Sequence, residues 1–148
     1  MKTLHFSIQI SAPRKHVWNV MLSDQTYREW AALFMEGSHF VGNWQKNSKM
    51  QFLSPTENKS IGGMVSIIAD NVTYELISIK HRGLVTEGKE DTSSDEARKW
   101  VGFEKYRFME EEGKTELQVE VDVINDFVIF MKETWPRALQ KIKELSEG

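Results

Sequence analysis

Cysteine is absent from the 148 residues. That excludes disulfides, thiol nucleophiles and thiolate metal sites together. It also fits a reducing compartment, and a cytoplasmic location is expected. Positive charge is not in excess: 19 Lys and Arg stand against 22 Asp and Glu, a net charge of −3. A nucleic-acid binder normally carries a basic face, so no nucleic-acid partner is expected. Apolar runs are short. None approaches the roughly 20 residues that cross a bilayer, and Met1–Phe6 alternates where a signal peptide would be continuously apolar. No membrane insertion is expected. Proline is scarce, at 3 residues, and neither repeats nor a linker-like stretch divides the chain. The length suits one domain spanning 1–148. What the chain does have is aromatic side chains, with 5 Trp, 8 Phe and 3 Tyr.

Leu4, Phe6, Ile8 and Ile10 alternate with polar residues, which predicts a strand with one buried face. Ser11-Ala12-Pro13 ends it, with Ser11 or Ala12 placed to cap a helix and Pro13 inside its first turn. Val17, Trp18, Val20 and Met21 recur at helical spacing. Asp24 is a second cap candidate, ahead of Tyr27, Trp30, Ala31 and Phe34. Two short helices are expected. From Gly37 the period returns to two. Strands are predicted at Ser38–Val41, Lys49–Leu53, Gly63–Asp70, Thr73–His81, Leu84–Glu90, Trp100–Glu110 and Thr115–Ile124. Turns are expected at Asp70-Asn71, His81-Arg82-Gly83 and Glu112-Gly113-Lys114, and Glu90–Lys99 reads as a long, mobile, solvated hairpin loop. No long helix separates these strands, so the sheet is antiparallel.

The C-terminus is helical again, with Asn125 or Asp126 as cap. Val128, Met131, Trp135, Ala138, Leu139, Ile142 and Leu145 form one apolar stripe. Pro136 falls inside it. A helix-interior proline costs about 3 kcal/mol, so a kink near Lys132–Trp135 is expected, or a fresh start capped by Thr134. The order strand, two short helices, long antiparallel sheet and terminal helix gives an α+β helix-grip fold. Its curved antiparallel sheet wraps around the long C-terminal α-helix, with two short helices after strand 1.

Several stretches carry a resemblance: Ile8-Gln9-Ile10-Ser11-Ala12-Pro13 followed by Val17-Trp18, then Trp30, Gly42-Asn43-Trp44, and Trp135-Pro136-Arg137-Ala138-Leu139. With the element order, they resemble the START-like (SRPBCC) superfamily of the birch pollen allergen and the polyketide cyclases. The nearer branch is the one named for the activator of the ninety-kilodalton heat-shock chaperone's ATPase. The resemblance implies a helix-grip fold with a cavity under the long helix. It leaves function open among lipid binding, cyclisation, hydrolysis and chaperone partnership. The activator itself is larger and carries a separate chaperone-binding domain, for which this chain has no room.

The four histidines, His5, His16, His39 and His81, form no pair at metal-ligand spacing. All are expected at surface or turn positions, with no metal and no cofactor. No nucleophile elbow or glycine-rich phosphate loop is present. Glu104, Tyr106 and Phe108 share one strand face, so Glu104 with Tyr106 or Tyr74 is the best catalytic pair on offer. Glu104 lies either inside the cavity or at the sheet rim, because a one-residue slip swaps the faces. The expected pocket lining is Trp30, Phe34, Met50, Phe52, Trp100, Tyr106, Phe108, Phe127, Met131, Trp135 and Leu139. Access is expected between the Trp30–Phe34 end and the start of the terminal helix. The expected function is non-enzymatic binding of a small hydrophobic ligand, of lipid, sterol-like or polyketide-like type. The alternatives are a cyclase, aromatase or hydrolase acting on such a ligand, and a chaperone-activator-like module with a protein partner.

Overall fold

Alternation at Leu4, Phe6, Ile8 and Ile10 builds β1 (Lys2–Ile10) with one face on the core. The computed structural model describes residues 1–58 and 60–148. After β1 come two short helices, α1 (Arg14–Leu22) and α2 (Asp24–Ala31). The sheet continues with β2 (His39–Gly42), β3 (Lys49–Pro55), β4 (Ile61–Val72), β5 (Leu76–Thr86) and β6 (Lys89–Asp91). A single turn, α3 (Asp95–Arg98), precedes β7 (Gly102–Glu111) and β8 (Lys114–Val123), and a 3-10 turn at Asn125–Phe127 leads into α4 (Val128–Glu147). Every pairing is antiparallel, in the order β1-β8-β7-β5-β4-β3-β2, with β6 on β5. The sheet curves around α4, which buries Trp135, Ala138, Leu139 and Ile142. This is an α+β helix-grip fold.

The segment His81-Arg82-Gly83 is not a turn. β5 runs straight through it, and Arg82 is a bulged residue between the pairs Ser66↔His81 and Val65↔Gly83. Two of the predicted strands are therefore one. The preceding turn also moves. β4 continues past Asp70-Asn71 to Val72, and Glu75 N–H closes the turn on the Val72 carbonyl at 2.8 Å, with Tyr74 at φ 65°. Glu87-Gly88 and Glu112-Gly113 both have two successive positive φ angles, the geometry of the hairpin turns that suit strand twist.

The polar run Glu90–Lys99 is built rather than loose. Asp91 accepts from the backbone N–H groups of Ser93 and Ser94, and Ser94 Oγ caps α3 by accepting from Ala97 N–H at 3.1 Å. Ala97 is buried against the sheet.

The helix ends are satisfied from a distance. Pro13 itself occupies the N-cap of α1, and Arg14 N–H donates to Glu110 Oε1 of β7 at 2.7 Å. Asp24 is the first residue of α2 and pairs with Arg28 at 3.1 Å instead of capping. Asn125 and Asp126 lie in the 3-10 turn, with no side-chain cap on α4. At the other end of α1, Trp30 Nε1–H donates to the Met21 carbonyl at 3.2 Å and Trp44 Nε1–H to the Leu22 carbonyl at 2.9 Å. Those carbonyls have no partner inside the helix, so each indole contributes about 1 kcal/mol while its ring fills the core.

Pro136 neither breaks nor restarts α4, which is continuous from Val128 to Glu147. The backbone bond it removes belongs to the carbonyl of Lys132. Lys132 and Pro136 both lie on the exposed side, open to solvent, while Trp135 and Leu139 hold the buried side on the sheet.

Two substitutions test this account. Pro136→Ala restores the backbone donor and stabilises the fold by roughly 1–3 kcal/mol in urea unfolding. Gly63→Ala destabilises by at least about 2 kcal/mol in the same assay. Gly63 has φ 150°, and a Cβ there would lie 1.9 Å from the Phe52 carbonyl oxygen.

Candidate functional site: a polar relay behind an aromatic cavity

Three neighbouring strands set the site. The inward face of β5 carries Ile77, Ile79 and His81, and that of β7 carries Glu104, Tyr106 and Phe108. Pairing places Ile79 opposite Glu104 and Ser66 of β4 opposite His81. His81 therefore lies between Ser66 and Glu104. Its Nδ1 is 2.7 Å from Ser66 Oγ and its Nε2 is 3.1 Å from Glu104 Oε1. The Tyr106 hydroxyl donates to the other carboxylate oxygen, Oε2. The result is a chain of hydrogen bonds, Ser66–His81–Glu104–Tyr106, across three strands.

The donors and acceptors fit one arrangement well. With the proton on Nε2, His81 donates to Glu104 and accepts from the Ser66 hydroxyl, so both ring nitrogens are satisfied. Glu104 then accepts at both oxygens, which suits the carboxylate. Ser66 is fully buried behind His81 and is absent from the cavity wall, so it orients the imidazole and has no access to a ligand. Burial pushes the Tyr27 and Tyr106 phenols up from their ordinary range, and the negative charge of Glu104 pushes both further.

A cavity of about 150 Å³ opens on this relay. Its wall is aromatic: Tyr27, Trp30 and Phe34 from the α2 side, Phe52 from β3 and Trp135 from α4. Ala31, Met64, Ile79 and Met131 complete the apolar part, and Ser38, His81 and Glu104 are the polar part. Phe34, Ser38, Met64 and Met131 are only partly buried and mark the side that meets solvent.

Of the residues expected to line a pocket, Trp30, Phe34, Phe52, Met131 and Trp135 do so. Tyr106 stands behind Glu104. Met50, Phe108 and Leu139 are buried in the core away from this wall. Phe108 packs on Trp18 at 5.2 Å, and Tyr74 meets the same indole at 5.8 Å in its turn, so Glu104 and Tyr74 are not brought together. Trp100 stacks on the half-exposed Phe127 at 5.2 Å and lines a separate, open cleft with Met35 and Leu84. His81 is buried, contrary to the expected turn position, because the bulge at Arg82 lets the strand continue. Its signal was the alternation of Ile77 and Ile79, which reaches His81 two residues on. Tyr27 shared the helical spacing of Trp30, Ala31 and Phe34, whereas Ser66 and Met64 carried no such signal. Among the described residues, no group of three or more His, Asp or Glu side chains is placed to hold a metal.

No protein-family model matches the sequence, and a search of curated proteins finds no match. Solved structures do match. Protein CV1439 from Chromobacterium violaceum is similar over 100% of this chain and 99% of its own, with a TM-score of 0.70 at 16% identity. The Aha1 dimer from Colwellia psychrerythraea covers 99% and 97%, with a TM-score of 0.70 at 14% identity. CalU16 from Micromonospora echinospora has a TM-score of 0.67 at 12% identity, over 97% of this chain and 75% of its own. At these identities the likeness is one of fold, consistent with a helix-grip architecture. No helix among the described residues is long and apolar enough to cross a membrane.

The electrostatics are testable by alkaline titration. Tyr27 and Tyr106 have folded-state pKa values above their unfolded value near 10. Their neutral forms therefore stabilise the fold fully below about pH 10, and that contribution is lost as pH rises further. Tyrosinate absorbance from these two residues is expected only together with loss of the folded circular-dichroism signal. Their ionisation in an intact fold would contradict the burial and the Glu104 contact.

Proposed function

We propose that the protein binds a small, compact ligand with an apolar body in the cavity between sheet and α4. The observation that carries this reading is a space of about 150 Å³ walled by five aromatic side chains, with one carboxylate–imidazole pair on its surface. A packed core gains nothing from a void beside a carboxylate, whereas a binding site needs an apolar enclosure with a few fixed polar groups. Size selects the ligand. Cavities for drug-sized molecules run to roughly 300–1,000 Å³, whereas one of about 150 Å³ holds a single benzene-sized ring. The reading is therefore narrowed from lipids and sterols to single-ring or similarly compact molecules. Burying on the order of 200 Å² of ring at about 25 cal/mol per Å² gives about 5 kcal/mol before ordering costs, which corresponds to dissociation constants from high micromolar to millimolar. Membership of the START-like superfamily belongs to the same proposal, supported by the fold and by the Ala12-Pro13 and Val17-Trp18 pattern.

A second reading, acid–base catalysis on the bound molecule, is favoured by one observation. His81 and Glu104, hydrogen-bonded at 3.1 Å, both reach the cavity wall and can pass a proton between them and a ligand.

The test is a toluene titration followed by ligand-observed NMR, with Ala31→Leu as control. Ala31 lines the cavity, and a leucine there occupies it. Saturable toluene binding that Ala31→Leu abolishes, with unfolding stability unchanged or raised, is the expected result. If the variant loses about 1–3 kcal/mol from overpacking and the wild type binds no toluene, the site is a filled core and the reading fails.

A further inference from the structure

We propose that the ligand of this cavity is a small organic ammonium ion with an apolar body, its positive head held by the Glu104 carboxylate and the aromatic wall. The inference rests on the reading of the cavity as a ligand site and specifies the chemistry that site selects.

Among the described residues, no lysine or arginine lines the cavity, and the one ion-pair partner of Glu104 is His81. Tyr106, its other partner, is a neutral donor. Glu104 thus presents a carboxylate on a largely apolar wall, hydrogen-bonded to one imidazole and one phenol. A carboxylate in such surroundings is costly unless a cation pairs with it. The Tyr27 and Tyr106 phenols register the same negative field, since the charge of Glu104 helps keep both protonated.

The wall adds a second preference in the same direction. Tyr27, Trp30, Phe34 and Trp135 form a connected series of rings, with centroids 4.9 Å apart from Tyr27 to Trp30, 5.8 Å from Trp30 to Trp135 and 4.9 Å from Trp135 to Phe34. Phe52 extends it to the edge of His81, at 6.0 Å. Aromatic faces attract cations, most strongly where water is excluded. A neutral apolar guest would use the rings and leave the carboxylate unpaired. An anionic guest would be repelled. An ammonium on a short apolar body uses both features and fits the volume.

The test compares three single-ring probes by calorimetry at neutral pH: benzylammonium, its neutral isostere benzyl alcohol, and the smaller toluene. Benzylammonium is expected to bind about tenfold tighter than either neutral probe. Glu104→Gln keeps the shape and removes the charge, and is expected to bring the ammonium down to the affinity of the alcohol. Equal or tighter binding of the alcohol or toluene to the wild type overturns the preference for a cation and leaves the cavity as a site for neutral molecules. Binding of none of the three overturns both readings. The wild-type comparison stands alone if the variant does not fold.

Discussion

Trp135 is the side chain on which the two layers of the molecule meet. From α4 it reaches Phe6 of β1 at 6.3 Å, Tyr106 of β7 at 6.0 Å, Trp30 of α2 at 5.8 Å and Phe34 just beyond it at 4.9 Å. Sheet, short helices and long helix are thus fixed against one indole. Its ring also separates a filled region from a hollow one. On one side lie the tightly packed Leu139, Ala138 and Ile142; on the other is the cavity. The neighbouring proline is tolerable for the same reason, since the packing of Trp135 holds the helix where a backbone hydrogen bond is missing.

Hollow and filled regions divide the core by chemistry as well as by density. Around Trp18, the rings of Tyr74 and Phe108 each pack on the indole, at 5.8 and 5.2 Å. Around Trp30 and Trp135, a carboxylate, an imidazole and a serine hydroxyl are drawn inside and joined by hydrogen bonds. Such a network is tolerable only when each member is satisfied, and all four members, Tyr106 included, are held on three adjacent strands. Strand pairing pre-sets the geometry, so these groups are already in place.

How much of this was legible in the sequence depended on the range of the interaction. Alternation in β1 and β8 and the stripe on α4 are repeated signals, and those elements fall close to where periodicity places them. The Glu104–Tyr106 pairing was readable as two residues on one strand face. His81 was not, because Arg82-Gly83 reads as a turn in isolation. Only pairing with β4 turns Arg82 into a bulge and keeps the strand going. The polar run before β7 failed for a related reason: its composition is that of a loop, but Asp91 and Ser94 spend their oxygens on nearby backbone donors. Met50, Phe108 and Leu139 share the apolar character of the lining residues. Which large side chains face a void and which face each other is decided by three-dimensional packing alone.

The pairing of β1 with β8 has a kinetic meaning. Thr3 and Asp122 share a hydrogen bond across 119 positions of chain, and β1 forms one edge of the sheet. Closing so large a loop costs entropy before any contact repays it, so this edge joins late, after the local hairpins from β3 to β8 have formed. Phe6 reaches the Trp135 indole only when that happens. Until then the aromatic wall lacks its backing, and a chain still folding exposes the same rings that later enclose the cavity. The completion of this sheet edge and the backing of the aromatic wall are therefore one event.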